Sequence, residues 1–146
     1  CQSPSETRCV ALLLFAGIRP SAEGGEITRL EWSAFSETEI YIADEVAKTN
    51  SDRHIPITPR LARLLSGHPK DGHVLPLDWR RVYRRIRKAA ATTVSDVTRH
   101  TFASHFLVAF GEEATKRAMG HTQGSQVLFR HYRKSVTESA GKKYFE

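Results

Sequence analysis

The sequence predicts a mainly α-helical fold with one small antiparallel β-sheet, of the α+β class. Three observations lead there. Apolar residues recur at helical spacing through most of the chain, and two short segments near its middle alternate as strands do. A length of 146 residues with 40% hydrophobic side chains suits one packed core and is short for two domains, so residues 1–146 read as a single domain.

Each element has its own signal. Pro4, Ser5 and Glu6 open a capped helix that carries Cys9, Val10, Leu12, Leu13, Leu14 and Phe15, is mostly buried and ends at Gly17. After Gly24 and Gly25 a short helical pattern runs from Glu26 to Leu30 and leads to Trp32. Glu39 to Ile42 and His54 to Ile57 read as two strands, with hairpin-turn composition from Lys48 to Asp52; Pro56 confines the second to a sheet edge. Pro59 suits the first turn of a helix bearing Leu61, Leu64 and Leu65, and a Gly/Pro-rich loop follows from Ser66 to Pro76. Asp78 stands where it can cap a basic helix with Val82, Ile86 and Tyr83 facing inward. Its outward face carries Arg80, Arg81, Arg84, Arg85, Arg87 and Lys88. Asp96 is the N-cap candidate of a helix with an apolar stripe of Phe102, Phe106, Leu107 and Phe110 that stops at Gly111. Glu112 to Met119, Val127 to His131 and Thr137 to Phe145 read as three further short helices.

Charge narrows the class of partner. Lys and Arg number 22 against 16 Asp and Glu, a net charge of +6, and the excess lies between Trp79 and Lys88, which favours a polyanion such as nucleic acid. Cys1 and Cys9 have neither Cys-x-x-Cys spacing nor a zinc pattern, so reduced, intracellular thiols are expected. The one long apolar run, Val10 to Ile18, is too short to cross a bilayer and is followed by Arg19. No membrane partner is expected, and the expected location is cytoplasmic.

The chemistry concentrates in three segments: Arg99-His100-Thr101-Phe102-Ala103-Ser104, Met119-Gly120-His121 and Phe129-Arg130-His131-Tyr132. An arginine fork neutralises a phosphate, an imidazole donates to its oxygens and a phenol can serve as nucleophile. Together they can attack a phosphodiester without a metal ion, which points to DNA strand breakage. Singly, each candidate also has a structural reading: Arg19 as a surface cation, Lys48 as a turn residue, His121 as a helix cap, Tyr132 as a core side chain beside Phe129. His100, His105 and His131 lack a ligand spacing and read as core or surface residues, so neither a metal nor another cofactor is expected.

In order along the chain, these residues resemble the catalytic domain of the tyrosine recombinases, the phage integrase family, from about Thr7 to Tyr132. Gly17-Ile18-Arg19 with Glu26-Ile27-Thr28-Arg29-Leu30-Glu31-Trp32 is similar to the first family motif. Lys48-Thr49 with Arg53-His54-Ile55-Pro56-Ile57 is similar to the hairpin lysine motif, and Arg99 to Ser104, Met119 to His121 and Tyr132 supply the rest. The chain departs from the pattern twice. Glu26 follows Arg19 by seven positions where the family has three, an insertion over Ser21 to Gly25 that could displace Arg19. Asp96 stands where the family has histidine. A carboxylate beside a phosphate is repulsive unless protonated or paired, so Asp96 is expected to cap its helix and fix the Arg99 fork, with a direct catalytic role as the alternative.

The resemblance implies an integrase-like DNA breaking and rejoining core. Arg19 and Arg99 would stabilise the phosphate, His121 would donate to it, Tyr132 would form a 3′-phosphotyrosine link and Lys48 would protonate the departing 5′ oxygen. The arginines and lysine from Arg80 to Lys88 would hold double-stranded DNA through its phosphates. It further implies a homotetramer on two duplexes, an additional N-terminal clamping domain in a longer recombinase, and a C-terminal exchange segment. Residues 133–146 could be that segment or a helix packed on its own domain. Rival readings are a type IB topoisomerase, a DNA-binding module that has lost catalysis, and a helix-turn-helix repressor, which leaves Lys48, His121 and Tyr132 unexplained.

Overall fold

Ser3 starts the first helix by the means its sequence offers. Its hydroxyl accepts the Glu6 amide at 3.2 Å, and Pro4 occupies the first turn, where its missing N–H costs nothing. The computed structural model describes residues 3–21, 24–47, 52–89, 96–120 and 136–146. The turn read from Lys48 to Asp52, all but Asp52, and the helix read at Val127 to His131 lie outside them.

The elements are α1 (Pro4–Phe15), α2 (Glu26–Arg29), a 3-10 turn (Trp32–Ala34), β1 (Glu39–Ile42), β2 (Arg53–Pro56), α3 (Pro59–Leu65), α4 (Trp79–Ala89), α5 (Val97–Phe110), α6 (Glu112–Met119) and α7 (Glu138–Phe145). The protein is mainly helical with a two-stranded antiparallel sheet, as its patterning predicts. In the sheet Ile40 pairs with Ile55 and Ile42 with Arg53. Those four residues share the buried face, while Tyr41 and His54 face outward with ring centroids 5.0 Å apart. The second strand therefore begins one residue before the apolar alternation implies, because Arg53 is an inward-facing member of it.

Two apolar clusters form the interior. One gathers α1, the sheet, α3 and α4 around Leu12, Ile18, Ile27, Ile40, Ile55, Leu61 and Val82. The other joins α5, α6 and α7 through Phe102, Phe106, Leu107, Met119 and Phe145. Phe15 packs against both and meets Tyr144 at 4.7 Å. Within α4, Trp79 and Val82 are buried and Tyr83 and Ile86 half-buried. Phe110, expected on the buried stripe, is about half exposed at the rim, against Phe106 and Phe145.

The C-terminal helix docks on its own chain. The Tyr144 hydroxyl donates to the Leu14 carbonyl at 3.0 Å, and Phe145 is sealed into the second cluster. Thr137 caps the helix by accepting the Ala140 amide. A Cβ on Gly141 would stand 2.3 Å from Val108 Cγ2, so the approach of α7 to α5 depends on the missing side chain. The described residues 136–146 carry a helix that packs on α5 and α3 of the same chain.

Asp96 corrects an expectation. It precedes α5, but its backbone is left-handed (φ 60°, ψ 21°) and its side chain makes no capping bond. A capping carboxylate needs an extended residue to aim at the first free amides, and the left-handed turn points it elsewhere.

Gly17 combines a left-handed backbone with a close approach to the Phe102 ring. It has φ +61°, and a Cβ there would lie 2.4 Å from the Phe102 ring, whereas Gly24 has similar φ (+65°) with open space around it. Gly17→Ala should therefore destabilise by roughly 2–4 kcal/mol and Gly24→Ala by only about 1–2. Paired urea denaturation curves check the difference, and equal losses would show that crowding against Phe102 contributes nothing.

Candidate functional site

Four charged side chains, Arg19 from the segment after α1, Glu26 from α2, Arg53 from β2 and Arg99 from α5, meet where the two clusters adjoin. Ile18, fully buried, anchors the chain so that Arg19 leaves the end of α1 beside the first residue of α2, Glu26. The Glu26 carboxylate accepts from Arg19 Nη1 at 2.8 Å and from the Arg19 amide at 3.1 Å. Arg53 approaches it as a fork, with Nη1 to Oε1 at 3.1 Å and Nη2 to Oε2 at 2.8 Å. The insertion that could displace Arg19 is thus bridged by its own following glutamate. Trp79 fixes the near end of that insertion, donating its indole N–H to the Ser21 carbonyl at 2.7 Å.

The C-terminus of α6 completes the arrangement. Arg53 Nε donates to the Ala118 carbonyl at 3.0 Å, and Arg99 donates through Nη2 to the Met119 carbonyl and through Nη1 to the Gly17 carbonyl. Cations are favoured at this end of a helix, where carbonyls have no intrahelical partner. Gly120 ends α6 at φ +61°, and a Cβ there would stand 3.0 Å from Arg53 Cδ.

Three guanidinium groups around one carboxylate leave the cluster positive. Burial alone would raise the Glu26 pKa, but the hydrogen bonds and charge of Arg53, the Arg19 amide and the Arg99 charge hold it at about 2. Burial pushes Arg99 below the ordinary arginine range and the Arg19 and Arg53 charges add to that, while Glu26 and Asp96 oppose it. The Asp96 carboxylate therefore acts on Arg99 through its field. Arg53 and Glu26 are sealed from solvent, whereas the Arg19 side chain keeps 18% of its surface. An excess of fixed positive charge that opens at Arg19 suits an anion with several acceptor oxygens, such as a phosphate.

Of the sequence candidates, Arg19, Arg99 and Asp96 are thus brought to one place. Lys48, His121 and Tyr132 lie outside the described residues. Arg53 was not singled out from the sequence as a site residue, although its place at the head of β2 in the hairpin motif was the available signal.

On α4 the side chains of Arg80, Arg81, Arg84, Arg87 and Lys88 are exposed, as expected. Arg85 departs from them: it turns back to pair with Glu6, which is buried in α1. A carboxylate that loses water on packing requires such a partner, and Arg85 is the α4 cation on that side.

The remaining candidates have structural roles. His105 donates through Nδ1 to the Thr101 carbonyl at 2.8 Å and stacks on Tyr144 at 4.0 Å. Cys9 is fully buried, its thiol pushed up to about 12 by burial and by Glu6, and it is no nucleophile. Among the described residues no group of three or more His, Cys, Asp or Glu could hold a metal ion. No helix there is long and apolar enough to cross a membrane. Comparison with models of known protein families, with curated proteins and with solved structures finds no match.

The cluster sets an acid limit on the fold. Glu26 has a depressed pKa, so its contribution is complete above its ordinary value of 4.5 and is lost as pH falls through about 2. That contribution is roughly 3 kcal/mol. Urea denaturation from pH 6 to pH 2 should show this loss. Glu26→Gln should be less stable by roughly 3–5 kcal/mol at neutral pH and should lack that part of the acid slope; an unchanged slope would place the titration elsewhere.

Proposed function

We propose that the protein is the catalytic core of a tyrosine recombinase, which cleaves double-stranded DNA and rejoins it through a 3′-phosphotyrosine intermediate. The observation that carries this reading is the meeting of Arg19 and Arg99 in one positively charged cluster, from distant points of the chain. In-line attack on a phosphodiester builds negative charge on the non-bridging oxygens, and guanidinium groups held in place beforehand stabilise it without reorganising. The buried carbonyls of Gly17 and Met119 hold Arg99, and Glu26 holds Arg19.

In this mechanism the Tyr132 oxygen attacks phosphorus, the bond to the 5′ oxygen breaks, and Lys48 delivers a proton to that leaving group. His121 donates to the same phosphate. The phenol gives its proton to solvent water, and the field of the arginines eases that loss, which ordinarily occurs near pH 10. The covalent link conserves the bond energy, so the reverse attack by a 5′ hydroxyl reseals the strand without a nucleotide cofactor. Exchange between two duplexes requires further copies of the chain, and a homotetramer on DNA in the cytoplasm is the assembly this chemistry would use.

A second reading has its own support. Arg99 is only 4% exposed and both of its Nη atoms donate to main-chain carbonyls, while Asp96 replaces an imidazole. A DNA-binding module without cleavage would show the same features.

Incubation with a nicked suicide duplex separates the two. The enzyme reading expects a covalent protein–DNA adduct that Tyr132→Phe abolishes, with non-covalent affinity nearly intact, since only a hydroxyl is removed. Binding without any adduct favours the module, and relaxation of supercoils without strand exchange favours a topoisomerase. The basic helix makes a separate prediction. Replacing Arg81, Arg84 and Lys88 by Ala should lower the salt slope of duplex binding by roughly one unit for each lost phosphate contact, whereas Arg85→Ala should lower thermal stability and leave the slope unchanged.

A further inference from the structure

We infer that Leu77 is an apolar wedge that enters a groove of duplex DNA while the arginines of α4 hold the flanking phosphates; this rests on DNA being the partner. Leu77 is fully exposed, and of the large apolar side chains exposed among the described residues it is the most so. Tyr41 leans on His54 and Phe110 on Phe106 and Phe145, so each has a place in the packing.

An exposed leucine by itself is unremarkable on a protein surface. What distinguishes Leu77 is its setting. The backbone before it is tied down by the Val74 amide, which donates to the Leu30 carbonyl at 3.0 Å, and Val74 itself is buried. The backbone after it is tied down by the Trp79 amide, which donates to the Pro76 carbonyl at 3.1 Å, and by the buried Trp79 ring with its bond to Ser21. Leu77 therefore sits in a turn whose backbone is held on both sides, so covering it costs side-chain freedom but little backbone freedom.

The surroundings identify what would cover it. Leu77 stands at a groove of about 380 Å3 lined also by Thr28, Leu75, Asp78, Arg80 and Arg84, with Arg81 beside them. One carboxylate, Asp78, faces these three arginines, and its main-chain carbonyl is engaged in starting α4 by accepting the Arg81 and Val82 amides. Three cations lining the same groove as one exposed apolar tip match phosphates beside the base edges of a duplex groove, where inserted leucines unstack a base step. A bilayer fits less well: α4 has already spent its apolar face on the interior through Trp79 and Val82, and a single leucine is too small an anchor.

The test uses the full chain, a fluorescein-labelled duplex over a salt series, and a duplex with 2-aminopurine at a flexible TA step. Leu77→Ala should weaken binding about tenfold at every salt concentration with the log–log slope unchanged. It should also abolish the rise in 2-aminopurine fluorescence that the wild type produces, and Leu77→Met should retain both. Thermal stability should not move, because the side chain is outside the core. If Leu77→Ala binds and unstacks like the wild type, the wedge is wrong while the DNA reading stands. If the wild type does not bind duplex at all, both fall. Equal, Leu77-dependent binding to anionic phospholipid vesicles would overturn the wedge in favour of a membrane surface.

Discussion

The Glu26 carboxylate is the constraint on which the arrangement of the site depends. A buried carboxylate offers about four lone-pair directions, and here four donors fill them, two from the Arg53 fork and two from Arg19. Without that anion, Arg19, Arg53 and Arg99 would be like charges sharing an interior, each short of hydration and each repelling the others. With it, they can stay together and still keep a surplus of positive charge. The same bonds set the path of the backbone, since Glu26 grips the amide of Arg19 as well as its guanidinium.

Much of the fold is legible in the sequence because burial imposes a period. The helices around Leu12, Leu61, Phe102 and Phe145 follow from apolar spacing, and Pro4 and Pro59 mark starts that the structure reproduces. Two departures have a common source: hydropathy cannot see a paired charge. Arg53 fills an inward strand position and Arg85, half-buried on α4, turns back toward α1, each because a buried glutamate awaits it. Asp96 shows a different limit. Residue type announces a cap, but only the local φ decides whether the carboxylate reaches an amide. The convergence of Arg19 with Arg99 is invisible to any local pattern, since it exists only once α1, α5 and α6 are packed; the resemblance to the recombinases was the only sequence-level pointer to it.

The geometry also separates two kinds of arginine. Those of the cluster are immobilised by carbonyls and a carboxylate, which fixes their direction and uses some of their donors. Arg81, Arg84 and Arg87 of α4 are exposed on one helix face, whereas Arg85 is held by the buried Glu6. The first kind suits a defined charge distribution at one point. The second suits an extended polyanion met along its length, where each contact is weak and the sum depends on ionic strength.

The cluster lies on the seam between the two apolar units, with Arg19, Glu26 and Arg53 on one side and Arg99 with the end of α6 on the other. Local opening in proteins follows such boundaries, because each unit keeps its own packing when the contacts between them break. Parting the two units would separate Arg99 from Gly17 and Arg53 from Ala118, and would uncover Phe15, which packs against both. The site is therefore a property of the closed assembly of two cooperative units and belongs to neither alone. Separating the two clusters would dismantle it even where each helix persisted.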